Sequence, residues 1–271
     1  MKRIISVALA MVLVVSLASC GKEKQGMTIN EDKLIVGMEL AYPPFETKDK
    51  AGDPIGISPD FAKAFGEYIG KEVEIVNTSW DGLIPSLETN KVDMVMSSMT
   101  ITDERKDTVD FSEPYANAML AFLLNKNTDV KNVKELNKKG KVIAVKTGST
   151  GALFADKNLS NAKIVKLADE SACVTEVAQG KADGFIYDQL TIYRNNQRNE
   201  NSTKTLFIKE QKPEQWGVAV KKGNKELQSK LNEFIAKYTK DGGFDKLTDK
   251  YLKKEKAAFE AKGFKWFFDI K

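Results

Sequence analysis

The sequence predicts an α/β protein built of two similar lobes facing one cleft. Three observations carry this. Short apolar runs alternate with amphipathic stretches, the β-α-β order of a largely parallel sheet. The alternation occurs twice, once before and once after Tyr115. Asn90-Lys91-Val92-Asp93, ahead of the apolar run 94–96, is echoed by Gly180-Lys181-Ala182-Asp183, ahead of the run 184–187. Coincidence is the other reading of so short an echo.

In the first series, Leu34-Ile35-Val36-Gly37-Met38 reads as a buried strand. Tyr42-Pro43-Pro44-Phe45 cannot extend it and forms a loop. Ser58 caps a helix with Pro59 in its first turn. Phe61, Ala64, Phe65, Tyr68 and Ile69 form its apolar stripe. A strand at 72–76, a helix at 83–89 stopped by Asn90 and a strand at 94–96 follow. In the second series, strands at 142–145, 163–167 and 184–187 alternate with helices at 151–156, 170–179 and 189–195. Leu227, Leu231, Phe234, Ile235 and Tyr238 mark an amphipathic helix, and 244–252 another. The Lys-rich tail carries Trp266-Phe267-Phe268, apolar enough to pack but with no pointer to a role.

Composition narrows the chemistry. Of 271 residues, 42% are hydrophobic and 30% charged, neither a disordered nor a membrane-embedded balance. This length suits two lobes. A net charge of +4, from 42 Lys+Arg and 38 Asp+Glu, is too small and too interleaved for nucleic acid. The chain has no histidine, which removes His general bases, Ser-His-Asp triads and His-ligated metals. Its cysteines, Cys20 and Cys173, make neither a zinc site nor a disulfide framework. No metal or cofactor is expected.

The first residues read as an address. Lys2 and Arg3 precede an apolar stretch, 4–18, shorter than the about 20 residues that span a bilayer. Leu17-Ala18-Ser19-Cys20-Gly21 then looks like a bacterial lipoprotein box. This predicts a signal peptide over 1–19, a lipid on Cys20 and a polar tether over 20–32. A plain secretory signal with a chance cysteine is the alternative. Two or more acyl chains would hold the exported protein at the membrane surface, on its extracellular or periplasmic side. Cys173 is left without a partner and reads as a small buried apolar residue.

One constellation carries function. Ser97-Ser98-Met99-Thr100-Ile101-Thr102-Asp103-Glu104-Arg105 follows a buried strand and enters a helix at Thr102. Clustered hydroxyls, free backbone N–H groups and a guanidinium suit a carboxylate; a capped turn with a surface arginine is the plainer reading. The run continues Val109-Asp110-Phe111-Ser112-Glu113-Pro114-Tyr115. With Met38 to Phe45 and Leu83-Ile84-Pro85-Ser86-Leu87, it resembles the bacterial solute-binding proteins for polar amino acids, family 3. These are extracellular receptors of ABC importers, among them the lysine/arginine/ornithine-, histidine- and glutamine-binding proteins. The resemblance covers about residues 33–252.

It implies the two-lobe periplasmic-binding-protein type II fold, which closes on its ligand. Lobe 1 would comprise 33–116 and 221–253, lobe 2 122–212, with hinge crossings at 117–121 and 213–220 and a tail at 254–271. The implied protein is not an enzyme. It is a lipid-anchored, monomeric receptor for a free L-amino acid, polar or cationic, which it delivers to permease subunits. A sensor that binds the same ligand without transport, or a dehydratase on the same fold, are the rival functions.

Family roles follow where residues match. Arg105 would clamp the ligand carboxylate, and Ser97, Ser98 and Thr100 would add hydroxyls and amides. Ser149 and Thr150 of the turn Gly148-Ser149-Thr150 would donate from lobe 2, or merely cap the next helix. Asp188 would hold the α-ammonium, and could cap a helix as well. Tyr42 and Trp80 would flank the side chain, though either could be core. Glu39 would meet its far end. With two rings, a carboxylate and no lysine or arginine at the matched positions, cationic amino acids should bind better than acidic ones; glutamine, asparagine and sulfur amino acids also fit. Where the family usually shows Gly-Phe-Asp-Val-Asp, this chain has Gly56-Ile57-Ser58-Pro59-Asp60, a difference in helix-start and packing positions.

Overall fold

A computed structural model describes residues 27–208 and 210–270. The signal peptide, Cys20 and most of the tether lie outside them. In chain order the first part comprises β1 (Lys33–Met38), the hairpin β2 (Thr47–Lys48) and β3 (Pro54–Ile55), α1 (Ile57–Ile69), β4 (Glu72–Asn77), α2 (Leu83–Glu88), β5 (Met94–Val95), α3 (Asp103–Thr108) and β6 (Val109–Phe111). After β7 (Ala116–Ala118) come β8 (Leu120–Asn125), α4 (Val133–Leu136), β9 (Val142–Lys146), α5 (Thr150–Asn158), β10 (Lys163–Leu167), α6 (Glu170–Ala178), β11 (Gly184–Asp188), α7 (Gln189–Arg198) and β12 (Thr203–Phe207). The chain returns through β13 (Glu214–Trp216) to β14 (Ala219–Lys221), α8 (Lys225–Lys240), α9 (Gly243–Tyr251) and α10 (Lys253–Glu260).

Two five-stranded sheets result, ordered β4-β1-β5-β14-β6 and β10-β9-β11-β8-β12. Between them β7 and β13 pair antiparallel, Ala118 opposite Glu214. The sheets are mixed rather than largely parallel. β1 runs parallel to β4 and β5, but β14 is antiparallel to β5 and β6. Likewise β9 runs parallel to β10 and β11, while β8 is antiparallel to β11 and β12. The antiparallel strands are those that flank the crossings, because a chain that leaves a sheet and returns must reverse. The first crossing is shorter than its sequence reading. β8 begins at Leu120, and all six of its residues are buried, so 120 and 121 belong to the second sheet.

Alternating strand residues serve opposite sheet faces. In the first lobe Leu34, Val36 and Met38 pack with Phe61 and Phe65 of α1 and Leu227 and Leu231 of α8. The other face meets Leu83 and Leu87 of α2. In the second lobe Ile143, Val145 and Ile186 face α5, and Ala144 and Phe185 face Cys173, Val174 and Val177 of α6. Cys173 is fully buried, as an unpaired cysteine in an apolar stripe should be.

The internal echo is structural. Asn90 and Gly180 both adopt the left-handed conformation, with φ of 54° and 72°. The aspartate three residues on then turns back to the neighbouring parallel strand, β1 in one lobe and β9 in the other. Asp93 accepts from the Ile35 N–H at 2.7 Å, and Asp183 from the Val142 N–H at 2.9 Å. Asp93 also accepts from Ile29 N–H at 2.5 Å, so the described end of the tether is docked on lobe 1. The helix-cap expectation at Ser58 fails. α1 starts two residues earlier, after Gly56, and the Ser58 hydroxyl donates instead to Glu46 at 2.7 Å.

The tail forms a strap across the hinge. On the lobe 2 side Glu255 lies 3.8 Å from Arg194, and the Phe264 ring 4.9 Å from that of Phe207. Toward lobe 1 the Trp266 indole donates to Thr248 at 3.1 Å, and Phe268 stacks on Phe244 at 4.7 Å. At the crossing, Asn117 N–H donates to the Phe267 carbonyl at 2.6 Å. No described helix is long and apolar enough to cross a membrane.

Candidate functional site

The ten residues singled out from sequence, Glu39, Tyr42, Trp80, Ser97, Ser98, Thr100, Arg105, Ser149, Thr150 and Asp188, all line one cavity between the lobes. Its empty volume, which includes open solvent, is about 470 Å³, and Glu46, Leu120, Tyr187, Glu214 and Trp216 complete its wall. The sheets set this up. Glu39 follows β1, Ser97 follows β5, Ser149 follows β9 and Asp188 ends β11. The carboxyl ends of parallel strands are where α/β sheets place ligands.

Arg105 stands in the first turn of α3, whose cap Thr102 accepts the Arg105 N–H at 3.2 Å. Its Nη1 donates to the Thr100 carbonyl at 2.6 Å and its Nη2 to the Gly148 carbonyl at 3.0 Å. One guanidinium therefore joins lobe 1 to lobe 2, with N–H groups left over, since arginine carries five. Burial pulls it below the usual arginine range, against the attraction of Glu214 and Glu104. Gly148 has φ of 69°, and a Cβ there would lie 3.1 Å from the Trp80 indole nitrogen. A glycine permits both the turn and the approach of the lobes.

Asp188 does two jobs at once. Its Oδ1 caps α7, accepting from Leu190 and Thr191 N–H at 3.0 Å each. Its Oδ2 accepts the Tyr42 hydroxyl at 2.5 Å. Burial raises this carboxyl above the usual range, against hydrogen bonds from Thr191 and Tyr42. Tyr42 is both cavity wall and core. Its ring stacks on Phe45 at 5.2 Å and meets Trp216 edge-on at 6.2 Å. Tyr42 and Trp80 are thus held by different partners: the Arg105 guanidinium and the Lys146 ammonium each lie 5.3 Å from the Trp80 ring centre.

The hydroxyls expected to serve a ligand carboxylate are committed within the protein. Ser97 and Ser98 donate to Glu46 at 3.1 and 3.0 Å. Thr100 and Thr150 donate to Glu214 at 3.2 and 2.7 Å. Ser149 donates to the Lys146 carbonyl at 2.7 Å and caps α5. Ser98 takes φ of 49°, a conformation costing on the order of 1 kcal/mol for a residue with a Cβ. The bond to Glu46 helps to hold it. What remains for an incoming anion is Arg105 and backbone N–H groups.

Glu46 is 1% exposed, and its recorded partners are three serine hydroxyls. Burial pushes its carboxyl up to about 8, with the bonds from Ser58, Ser98 and Ser97 opposing. The consequence for stability has a definite sign. A folded-state pKa above the unfolded value gives stability that is complete below the unfolded pKa and lost as pH rises through the folded one. Urea denaturation between pH 5 and pH 9 should therefore show the wild type losing stability that Glu46→Gln keeps, because the amide retains an acceptor and never ionises. Parallel curves would mean that Glu46 carries no such proton.

Glu39 is not a lone anion. It forms an ion pair with Lys146, whose side chain is 4% exposed against 13% for Glu39. This corrects the expectation of a far end free of lysine. Lys146 ends β9 directly after an apolar run, and that position, at the carboxyl end of a predicted strand, was its sequence signal. Glu46 had one too, as the carboxylate following Tyr-Pro-Pro-Phe. Tyr187 had the same signal as Lys146, at the end of the predicted strand 184–187; Glu214 and Trp216 had none, since only the second crossing brings them in.

Comparison with known proteins agrees with this architecture. The model of the bacterial extracellular solute-binding proteins, family 3, matches residues 34–254. The ABC transporter glutamine-binding protein of Bacillus subtilis is 30% identical over 95% of this chain and 100% of its own. The L-arginine-binding protein of Pseudomonas aeruginosa is 31% identical over 83% and 90%. Among solved structures, an ancestral arginine-binding protein bound to glutamine aligns with a TM-score of 0.75 and 36% identity, covering 82% of this chain and 99% of that one. With two lobes, paired crossings and a family match over most of its length, the chain belongs to family 3 of the bacterial extracellular solute-binding proteins.

Proposed function

We propose that this protein binds a free L-amino acid between its lobes and delivers it to the permease of an ABC importer, while a lipid on Cys20 holds it at the membrane. The observation that carries the reading is that Arg105 and Asp188 both stand in the wall of one cavity. An α-amino acid is a zwitterion and needs a cation and an anion at a fixed separation. Here they come from different lobes, so a ligand that engages both favours the closed state. Binding without turnover is the simpler chemistry, and the relatives above are binding proteins by name. Incorporation of a labelled fatty acid, lost in Cys20→Ser, tests the anchor.

The Glu39–Lys146 pair shifts the expected side chain. A lone carboxylate would select a cation; a carboxylate beside an ammonium offers an acceptor and a donor together, which suits an amide. Glutamine is therefore the leading ligand. A cationic amino acid is the second reading, favoured by the carboxylates of Glu39, Asp188 and Glu214 in the wall. A thermal-shift screen of the common amino acids tests the binding itself, because a ligand of the folded state raises the melting temperature; no rise with any of them would sink it. Lys146→Met should weaken glutamine by about 10- to 100-fold, the size of a lost hydrogen bond to a charged group. It should also strengthen lysine or arginine, since Glu39 is freed to meet them. Unchanged glutamine affinity would show that the pair does not read the side chain.

A further inference from the structure

We infer that Glu214, on the second hinge crossing, is the positioning residue that brings the two halves of the anion-binding corner together as the lobes close. The inference rests on the binding function proposed above.

Its backbone belongs to neither sheet. β13 pairs with β7, so Glu214 stands on the paired crossings that join the two lobes. One carboxylate oxygen, Oε2, accepts from Thr100 at 3.2 Å and from Thr150 at 2.7 Å. Thr100 comes from lobe 1 and Thr150 opens α5 in lobe 2.

The two contacts differ in kind. Thr100 is already tied to the crossing by its backbone. It bridges Trp216, and the next residue, Ile101, donates its N–H to the Gln215 carbonyl at 2.8 Å. Thr150 is not tied in this way: lobe 2 carries it, and its hydroxyl is what ties the start of α5 to Glu214 whenever the lobes meet, with or without a ligand. Arg105 spans the same gap in the opposite sense, donating to the carbonyls of Thr100 and Gly148. An anion and a cation thus cross-brace the same two chain segments, one through hydroxyls and the other through carbonyls. The brace sets the start of α5 against Arg105, where backbone N–H groups and the positive end of the helix favour an anion. Because both threonine hydroxyls are spent on Glu214, they act through position and leave the ligand carboxylate to Arg105 and the backbone.

The test uses the mature protein with L-glutamine and L-arginine as probes. Glu214→Leu should weaken the tighter-binding probe by about 10- to 100-fold, as loss of hydrogen bonds to a charged acceptor does. It should also speed dissociation, and the ligand-saturated protein should be more open in small-angle scattering. Glu214→Gln retains an acceptor oxygen and should recover affinity to within a few-fold of wild type. Thr150→Val should resemble Glu214→Leu, and combining the two should cost little more than either, because both remove one contact. Additive losses, wild-type affinity in Glu214→Leu, or a Gln variant as impaired as the Leu variant would overturn the inference. The same 214/150 cycle, read as the urea midpoint of the ligand-free protein, probes the contact without a ligand. A wild type that binds neither amino acid counts against the proposed function, while coupling or its absence in the ligand-free cycle still decides for or against Glu214.

Discussion

Arg105→Ala is expected to weaken amino-acid binding by about 2–5 kcal/mol, measured by calorimetry with the tightest ligand of the screen. The loss has two sources. The ligand carboxylate would enter a largely desolvated corner without its counter-charge, and an unpaired buried charge costs more than the pair is worth. The two carbonyls bridged by the guanidinium, of Thr100 and Gly148, would also lose the link between lobes. Arg105→Lys should recover only part of the loss: an ammonium keeps the charge but cannot serve two carbonyls and a carboxylate in one plane. Circular dichroism of the ligand-free variant should remain that of wild type, since α3 has no buried residue. Near wild-type affinity in the alanine variant would place the ligand carboxylate elsewhere.

Phe267→Ala should lower the stability of the folded chain by about 3–5 kcal/mol, as removal of a buried phenylalanine does. Phe267 is fully buried. Its ring lies 5.6 Å from Phe45, 5.7 Å from Trp216 and 5.6 Å from Trp266. Phe45 carries the Tyr42 ring and Trp216 lines the cavity. A hole behind them loosens the wall that aims the Tyr42 hydroxyl at Asp188. Affinity should therefore fall together with the urea midpoint, in a residue remote from the ligand. A wild-type midpoint would mean that the tail adds no packing.

Much of this was legible in the chain and some was not, for reasons that particular residues make plain. β10 occupies 163–167 as its pattern predicts, because a lone strand is a local event. β8 was missed: Leu-Ala-Phe-Leu-Leu is apolar up to the closing Asn125, shows no alternation and follows a segment assigned to the hinge. Ser97, Ser98, Thr100 and Arg105 were visible because that run is contiguous and turn-like; Glu39, Tyr42, Trp80, Ser149, Thr150 and Asp188 were reached through the family resemblance. What the cavity does with them was hidden, because its decisive contacts join distant segments. Lys146 meets Glu39 from 107 positions away, and Tyr42 meets Asp188 from 146. A motif shows which groups are present; only the fold shows which donors are already spoken for. The five hydroxyls assigned to a ligand are the clearest instance, since each has a protein acceptor.

The strap across the back of the hinge decides where a biosensor can be built on this scaffold. A fluorescent protein fused after the tail would ride on the crossing near Asn117, close to the axis of rotation, where lobe motion displaces it least. An environment-sensitive dye at Leu153 is better placed. That side chain is 43% exposed on α5, and it shares a groove with Asp81 and Glu104 of the opposite lobe. As the lobes part, the groove fills with water and the dye's emission should shift. The carboxyl terminus is thus a handle for immobilising the receptor, and the rim of α5 is where its closing can be read.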